Sequence, residues 1–479
     1  MNYSMIIFIL GHLLRYESIF MLLPTVTGFI YGEHEAVAFL CVSLVTFLIG
    51  TILSCKGVKT KQLFTRDGSV AVALGWIVLS IFGALPFTLS GDIPFYVDAL
   101  FETISGFTTT GARILSDVEA LSHASMMWRS FTHWVGGMGV FVFILSLIPM
   151  IGGSTMQLMK AESPGPSVDK FVPKVKDTAK LLYSIYIVIT VVQIIVLLLA
   201  KMPLFDTITL TFGTVGTGGF GVKNDSLASY TSLQQSIITL FMILSGINFS
   251  FYFLIISKKF RDAFHLEEVR WYLAIILGSV FLITLNILPI CNGFLDALKH
   301  SFFQVASLVT TTGYSSTDFN LWPEFSKTIL IILMIIGACA GSTAGGFKVS
   351  RMMILLKSIK VELSRMIHPR EVKKIRIDNH VVKPDVIRTA QVYLMLYSSL
   401  FLLSVLLISV DNFDFTTNFT AVAATFNNIG PGLAGVGPMS NFSSYSIFSK
   451  FVLMMGMLIG RLELYPIILL LVPETWRRK

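Results

Sequence analysis

Ten runs of about 20 or more predominantly apolar residues dominate this chain of 479 residues, at about 5–30, 36–55, 69–90, 127–150, 181–203, 233–257, 271–290, 327–357, 389–410 and 447–472. A helix needs roughly 20 apolar residues to cross a bilayer, so the spacing predicts ten membrane-crossing helices. Only 13% of the residues are charged, against about 25% in a soluble globular protein, which argues against a soluble enzyme. Residues 1–30 lack the basic start and small-residue cleavage site of a secretory signal, so a retained first helix is expected, with Arg15 an unusual charge inside it. The four cysteines, Cys41, Cys55, Cys291 and Cys339, have no metal-binding spacing and suggest no disulfide framework.

The charge divides sharply along the chain. Of the 36 lysines and arginines, 27 fall in five stretches, 56–66, 160–180, 258–270, 348–388 and the tail 477–479. With their ten acids these stretches carry a net +17, and the rest of the chain carries −9. Cytoplasmic loops are enriched in Lys and Arg, so all five are expected inside, with both termini cytoplasmic and an acidic outer mouth. A nucleic-acid stripe would need aromatic platforms on a soluble face, and none is visible, so no nucleic-acid partner is expected.

Four shorter apolar segments, 95–107, 204–215, 294–309 and 413–426, lie between the long runs. Each leads into a tetrad ending in glycine: Thr108, Thr109, Thr110, Gly111; Gly216, Thr217, Gly218, Gly219; Thr310, Thr311, Thr312, Gly313; and Asn427, Asn428, Ile429, Gly430. The closing glycines are 108, 94 and 117 residues apart. The pattern predicts an all-α integral membrane fold. A two-helix N-terminal hairpin (1–66) precedes four tandem units of span, short re-entrant helix, loop and span, at 67–160, 161–262, 263–375 and 376–479, arranged pseudo-fourfold around one pore. Every unit would begin and end at a basic stretch.

Such loops suit a cation. Non-helical backbone at membrane depth must line water or be buried in protein, and rings of carbonyls can replace an ion's hydration shell. Glycine permits the backbone angles that aim those carbonyls, and the threonine hydroxyls add oxygen ligands. No tetrad contains a carboxylate, which favours a monovalent ion, since hard divalent ions usually take carboxylates.

The last span of the third unit is interrupted at Gly341, Ser342, Thr343, Ala344, Gly345, Gly346, Phe347 and Lys348. That spacing is not a phosphate-binding P-loop, which needs Lys directly after the second glycine, and is expected to be a mobile gate below the tetrads, the alternative being a close helix-packing site of small residues. Arg461 lies inside the last run, where a charge should face a water-filled cavity or the bundle interior, and is expected to act with that gate, the alternative being a buried pair with Glu463, which the i, i+2 spacing disfavours. Arg129 and His133 are expected to be pairing or interface residues.

On these tetrads, the break at 337–347 and Arg461, the chain resembles the Trk/Ktr/HKT superfamily of potassium transporters over its whole length. Its N-terminal hairpin resembles the TrkH-type membrane subunit. The resemblance implies potassium uptake across a bacterial plasma (inner) membrane, a homodimer, and a cytosolic nucleotide-binding RCK regulatory subunit of the TrkA kind on the basic loops. It also implies that four intact filter glycines go with potassium and a serine in the first filter with sodium. The second tetrad departs from the triple-threonine pattern. Sodium-permeable or cation-coupled transport on the same fold is an alternative, although Glu102 is the only carboxylate near a tetrad. A membrane enzyme would need a catalytic cluster, and the eight histidines form none.

Overall fold

The computed structural model describes residues 1–55, 64–139, 175–370 and 373–476. Most of the basic stretches 56–66 and 160–180, the second half of the expected span 127–150 and the tail 477–479 lie outside the described residues. Helices α1 (Tyr3–Phe20) and α2 (Leu22–Tyr31) run as one span and pair with α3 (Glu35–Ser54). Helices α4 (Thr65–Ser90), α5 (Tyr96–Phe107) and α6 (His123–Gly137) follow. Next come α7 (Val175–Leu199), α8 (Leu204–Val215), α9 (Ser232–Ser245), α10 (Phe249–Ile256) and the short α11 (Phe260–His265). Then come α12 (Glu267–Ile287), α13 (Phe294–Val309), α14 (Glu324–Ile336) and α15 (Val349–Ile367). A two-residue hairpin, β1 (Arg376–Ile377) and β2 (His380–Val381), leads to α16 (Pro384–Ile408), α17 (Phe415–Phe426), α18 (Ile447–Arg461) and α19 (Tyr465–Leu471).

Six helices among the described residues, not ten, are long and apolar enough to cross a membrane. The difference lies in the expected spans 127–150, 233–257, 327–357 and 447–472. The first leaves the described residues after Gly139, and the other three are broken, where the sequence pointed only to the break in 327–357. Helices α9 and α10 bend by 91°, where the Asn248 side chain caps the backbone N–H of Ser250 and restarts the helix. Gly337, Gly341 and Gly346 adopt φ of +71°, +69° and +79° between α14 and α15. Between α18 and α19 the left-handed positions are Glu463 and Leu464, at φ +60° and +66°. Neither residue type advertises such a backbone, which is why that break is invisible in the sequence.

Polar side chains cap the starts of several helices. Ser122 caps α6, Thr231 with Gln234 forms a capping box on α9, Asp414 caps α17 and Ser446 caps α18. The short helices α5, α8, α13 and α17 are sheathed by protein for most of their length, whereas α12 leaves Leu277, Phe281 and Leu285 exposed in one stripe. At spacing i, i+4, i+8 this is one helix face, and its exposed apolar surface suits lipid rather than water. Most of the apolar stretch of α4 is buried, against a third or less in α7, α12 and α16. The excess follows from α1 and α3, which pack on α4 and cover what would otherwise face lipid.

The packing is cyclic. Helix α6 lies on α8, α9 on α13, α14 on α17, and α18 returns to α5. In each pair the helix that follows one tetrad meets the short helix that precedes the next.

Candidate functional site

Each short helix ends by the same local rule. The first tetrad residue donates its backbone N–H to the carbonyl four residues earlier, the second to the one three earlier, and the third to the one five earlier. For the first tetrad these acceptors are Ile104, Gly106 and Ser105, at 2.9, 3.0 and 2.8 Å. Gly216, Thr217 and Gly218 repeat the pattern, as do Thr310, Thr311 and Thr312, and Asn427, Asn428 and Ile429. The pattern forces a left-handed backbone at the second position. Thr109, Thr217, Thr311 and Asn428 all have φ +55°, and Gly111, Gly219, Gly313 and Gly430 follow at +76°, +77°, +85° and +103°.

The four tetrads come together in one place. A Cβ added to Gly111 would stand 2.0 Å from the Gly218 carbonyl oxygen, one on Gly219 1.8 Å from Thr312 O, and one on Gly313 1.7 Å from Ile429 O. One on Gly430 would stand 2.9 Å from Thr110 O, which closes the circle. Each closing glycine therefore abuts the third carbonyl of the next tetrad, and a single cavity is lined by all four glycines.

The side chains hold this arrangement from behind. Thr108 Oγ1 donates to Ile104 O and lies 2.7 Å from Thr110 Oγ1, and Thr310 repeats this with Ala306 O and Thr312 Oγ1. In the fourth tetrad Asn427 Nδ2 takes the threonine's role on Ala423 O at 2.9 Å. Asn428 Nδ2 donates across to Thr110 Oγ1 and to Met457 O. The hydroxyls of Thr108, Thr110, Thr310 and Thr312, expected as ion ligands, make these bonds, while the buried Thr109 hydroxyl has no partner among the described residues. The glycines of the second tetrad have a steric cause: a Cβ on Gly216 would stand 2.4 Å from His133 O, and one on Gly218 2.1 Å from the His133 ring. His133 is stacked on Phe220 with ring centroids 4.2 Å apart.

Glu102 forms a fully buried ion pair with Arg129 Nε and accepts the Ile114 N–H at 2.8 Å. Arg129 also donates to Gly221 O and lies over the Phe220 ring. Breaking a buried pair costs about 3–5 kcal/mol because the remaining charge is stranded. Glu102→Gln is therefore expected to lower the thermal unfolding midpoint in detergent micelles markedly, and an unchanged midpoint would contradict the pair's role.

Immediately outside the glycines the cavity is lined by Arg113, Arg129 and Lys223 and by no carboxylate. The acids expected at an outer mouth are not among these lining residues. The acids lie farther out, where the Asn224 amide donates to Asp117 and holds its carboxyl below the usual range.

On the opposite side, segment 337–348 packs directly beneath the tetrads. The Gly345 N–H donates to Thr311 Oγ1 at 2.7 Å, and a Cβ on Gly345 would stand 2.5 Å from Asn427 O. Ser342, Thr343, Ala344 and Gly345 are buried. The segment is tied to three neighbouring elements. Gly341 O accepts from Phe249 N, Ala340 N donates to Glu268 Oε1, and Thr343 Oγ1 donates to Ser245 O. Lys348, at φ +81°, turns its buried ammonium back onto Ala344 O. Arg461 reaches across from α18, with Nη1 on Thr343 O at 2.8 Å and Nη2 on the carbonyls of Gly136 and Gly137. Its neighbour Glu463 pairs instead with Arg351.

Sequence reasoning missed Glu268, Asn248 and Arg351. Glu268 reads as an ordinary acid in a first helical turn, Asn248 is a local helix cap inside an apolar run, and Arg351 acquires its role only through tertiary contact.

The TrkH family, described as cation transport protein, matches residues 36–477. The Trk system potassium uptake protein TrkH of Salmonella typhimurium (strain LT2) is 36% identical over 484 residues, covering 100% of both chains. The Trk system potassium uptake protein TrkG of Escherichia coli (strain K12) is 32% identical, covering 98% of this chain and 97% of its own. The crystal structure of the potassium transporter TrkH from Vibrio parahaemolyticus superposes with a TM-score of 0.89 at 31% identity, covering 100% of both chains. With its apolar helices and closed set of tetrads, the chain belongs to the TrkH family of cation transport proteins and is a membrane transporter rather than an enzyme.

Proposed function

We propose that this protein takes up potassium across a bacterial inner membrane, through a pore on the axis of the four tetrads. The observation that carries the reading is the closed circle of Gly111, Gly219, Gly313 and Gly430, each against the third carbonyl of the next tetrad. Together with the cyclic helix packing, it supports four units around one axis, with 1–66 as an outer hairpin. Backbone carbonyls would replace the ion's water, and α5, α8, α13 and α17 would direct their negative C-terminal ends at the path. Relatives named for potassium uptake support the choice of ion. The membrane potential would drive inward flux at about 2.3 kcal/mol per charge per 100 mV.

Segment 341–348 with Arg461 would be the gate, lying between the tetrads and the basic side. That side, including Lys357, Lys373 and Lys383, would face the cytoplasm and receive a TrkA-type RCK regulatory subunit, with both termini inside and the protein a homodimer.

Gly111→Ser tests the pathway. A Cβ there presses on the Gly218 carbonyl, so rubidium-over-sodium selectivity in liposome flux should fall about tenfold, equivalent to about 1.4 kcal/mol. Unchanged selectivity would remove the first tetrad from the path.

A further inference from the structure

The cavity just outside the glycine circle poses an electrostatic problem. A path for cations opens into a space lined by three basic side chains and no acid. One of the three is neutralised: Arg129 is paired with Glu102, whereas the Lys223 ammonium is held on Ser229 Oγ and over the Tyr230 ring with its charge uncancelled. Arg113 is different. It follows the first closing glycine by two residues, and its guanidinium is fixed by three carbonyls: Ser440 at 3.0 Å, Asn224 at 2.9 Å and Pro438 at 3.3 Å. These acceptors come from the loops after the second and fourth tetrads. They satisfy its donors without cancelling its charge, and no ion pair to Arg113 occurs among the described residues.

Resting on the proposed pathway, we infer that Arg113 is a valence filter at the outer mouth, a fixed positive charge that excludes divalent cations from the glycine circle more strongly than potassium. Coulomb energy scales with the charge of the approaching ion. A field that lowers potassium occupancy by some factor lowers that of a divalent ion by the square of it. A pore lined by carbonyls needs such a device, because carbonyl oxygens also coordinate hard divalent ions and a divalent ion of potassium's size would lodge among them and block. The guanidinium stays charged at any physiological pH, and its three carbonyl anchors keep it at the wall of the mouth rather than in the path. Placement outside the tetrads rather than within them leaves the monovalent path open while the barrier acts at entry. Like other exposed fields, it weakens with ionic strength.

The test uses the full-length protein in liposomes, with rubidium uptake measured against external Ba²⁺, a divalent ion close to potassium in size, and Mg²⁺. In Arg113→Gln, if the half-saturating rubidium concentration falls about threefold, the half-blocking Ba²⁺ concentration should fall about tenfold, because the second charge squares the factor. Both shifts should shrink at high ionic strength of an inert salt. Arg113→Lys keeps the charge but cannot span three carbonyls in fork geometry, so it should retain wild-type Ba²⁺ sensitivity. Equal shifts for the two valences, or loss of Ba²⁺ resistance in Arg113→Lys as well, would make Arg113 a loop strap only and overturn the inference. Unaltered block in Arg113→Gln alongside altered selectivity in Gly111→Ser would overturn it while leaving the pathway intact. If neither variant changed flux, the pathway itself would fall.

Discussion

Gly313→Ala is expected to reduce rubidium uptake to about one hundredth of wild type or less while the protein still folds and inserts. A left-handed alanine at φ +85° is a modest burden of about 1–2 kcal/mol. The larger effect is steric. The new Cβ would stand 1.7 Å from Ile429 O and 3.0 Å from Pro431 Cδ, so one of the two tetrads must move. The Ile429 side chain is buried, and its N–H is fixed to Ala424 O at 2.8 Å, so the shift falls on the carbonyl that faces the proposed path. Loss of about 3 kcal/mol of ion stabilisation gives the hundredfold figure. The control is Gly278→Ala in α12, where nothing lies within 4 Å of the added Cβ and alanine favours the helix by about 1 kcal/mol. Proteoliposomes matched for protein content should show normal uptake for that variant. Normal uptake in Gly313→Ala would refute a path through the glycine circle.

The short helices and tetrads were legible because each is a local event. An apolar run of 12 to 16 residues is stopped by residues that accept left-handed backbone, and the structure starts those helices at Tyr96, Leu204, Phe294 and Phe415, within about two residues of the expected segments. The break at 337–348 was legible for the same reason, since glycine marks it. The break at Glu463 and Leu464 was not, because packing rather than residue type imposes its backbone. Arg113 was hidden differently. Its partners are main-chain carbonyls 111 to 327 residues away, and a carbonyl has no sequence signature. The division of charge along the chain pointed to an acidic outer side, but a regional sum says nothing of which side chains reach the mouth. The second tetrad's glycines likewise needed the His133 ring to explain them.

Arg461→Ala is expected to raise resting rubidium flux several-fold, and comparison with Arg461→Lys tells a strap from a plug. The guanidinium joins two backbone segments far apart in the sequence: Thr343 in segment 337–348, and Gly136 and Gly137 at the end of α6. Charge-assisted bonds of this kind contribute about 1.5–3 kcal/mol each to the arrangement that makes them, so their loss favours any state in which segment 337–348 swings clear of Thr311 and Asn427. That segment has other anchors, through Glu268, Ser245 and Phe249, so it should loosen rather than unfold. The same arginine also acts by charge. Its fixed positive charge lies beneath the tetrads, where it would oppose a passing cation. Lysine keeps that charge but cannot hold three carbonyls in fork geometry. Flux raised in both variants identifies the strap, and flux raised in alanine alone identifies the field. If neither variant exceeds wild type, in liposomes lacking any regulatory subunit, Arg461 does not restrain the pore and the closed segment beneath the tetrads is held by its other contacts alone.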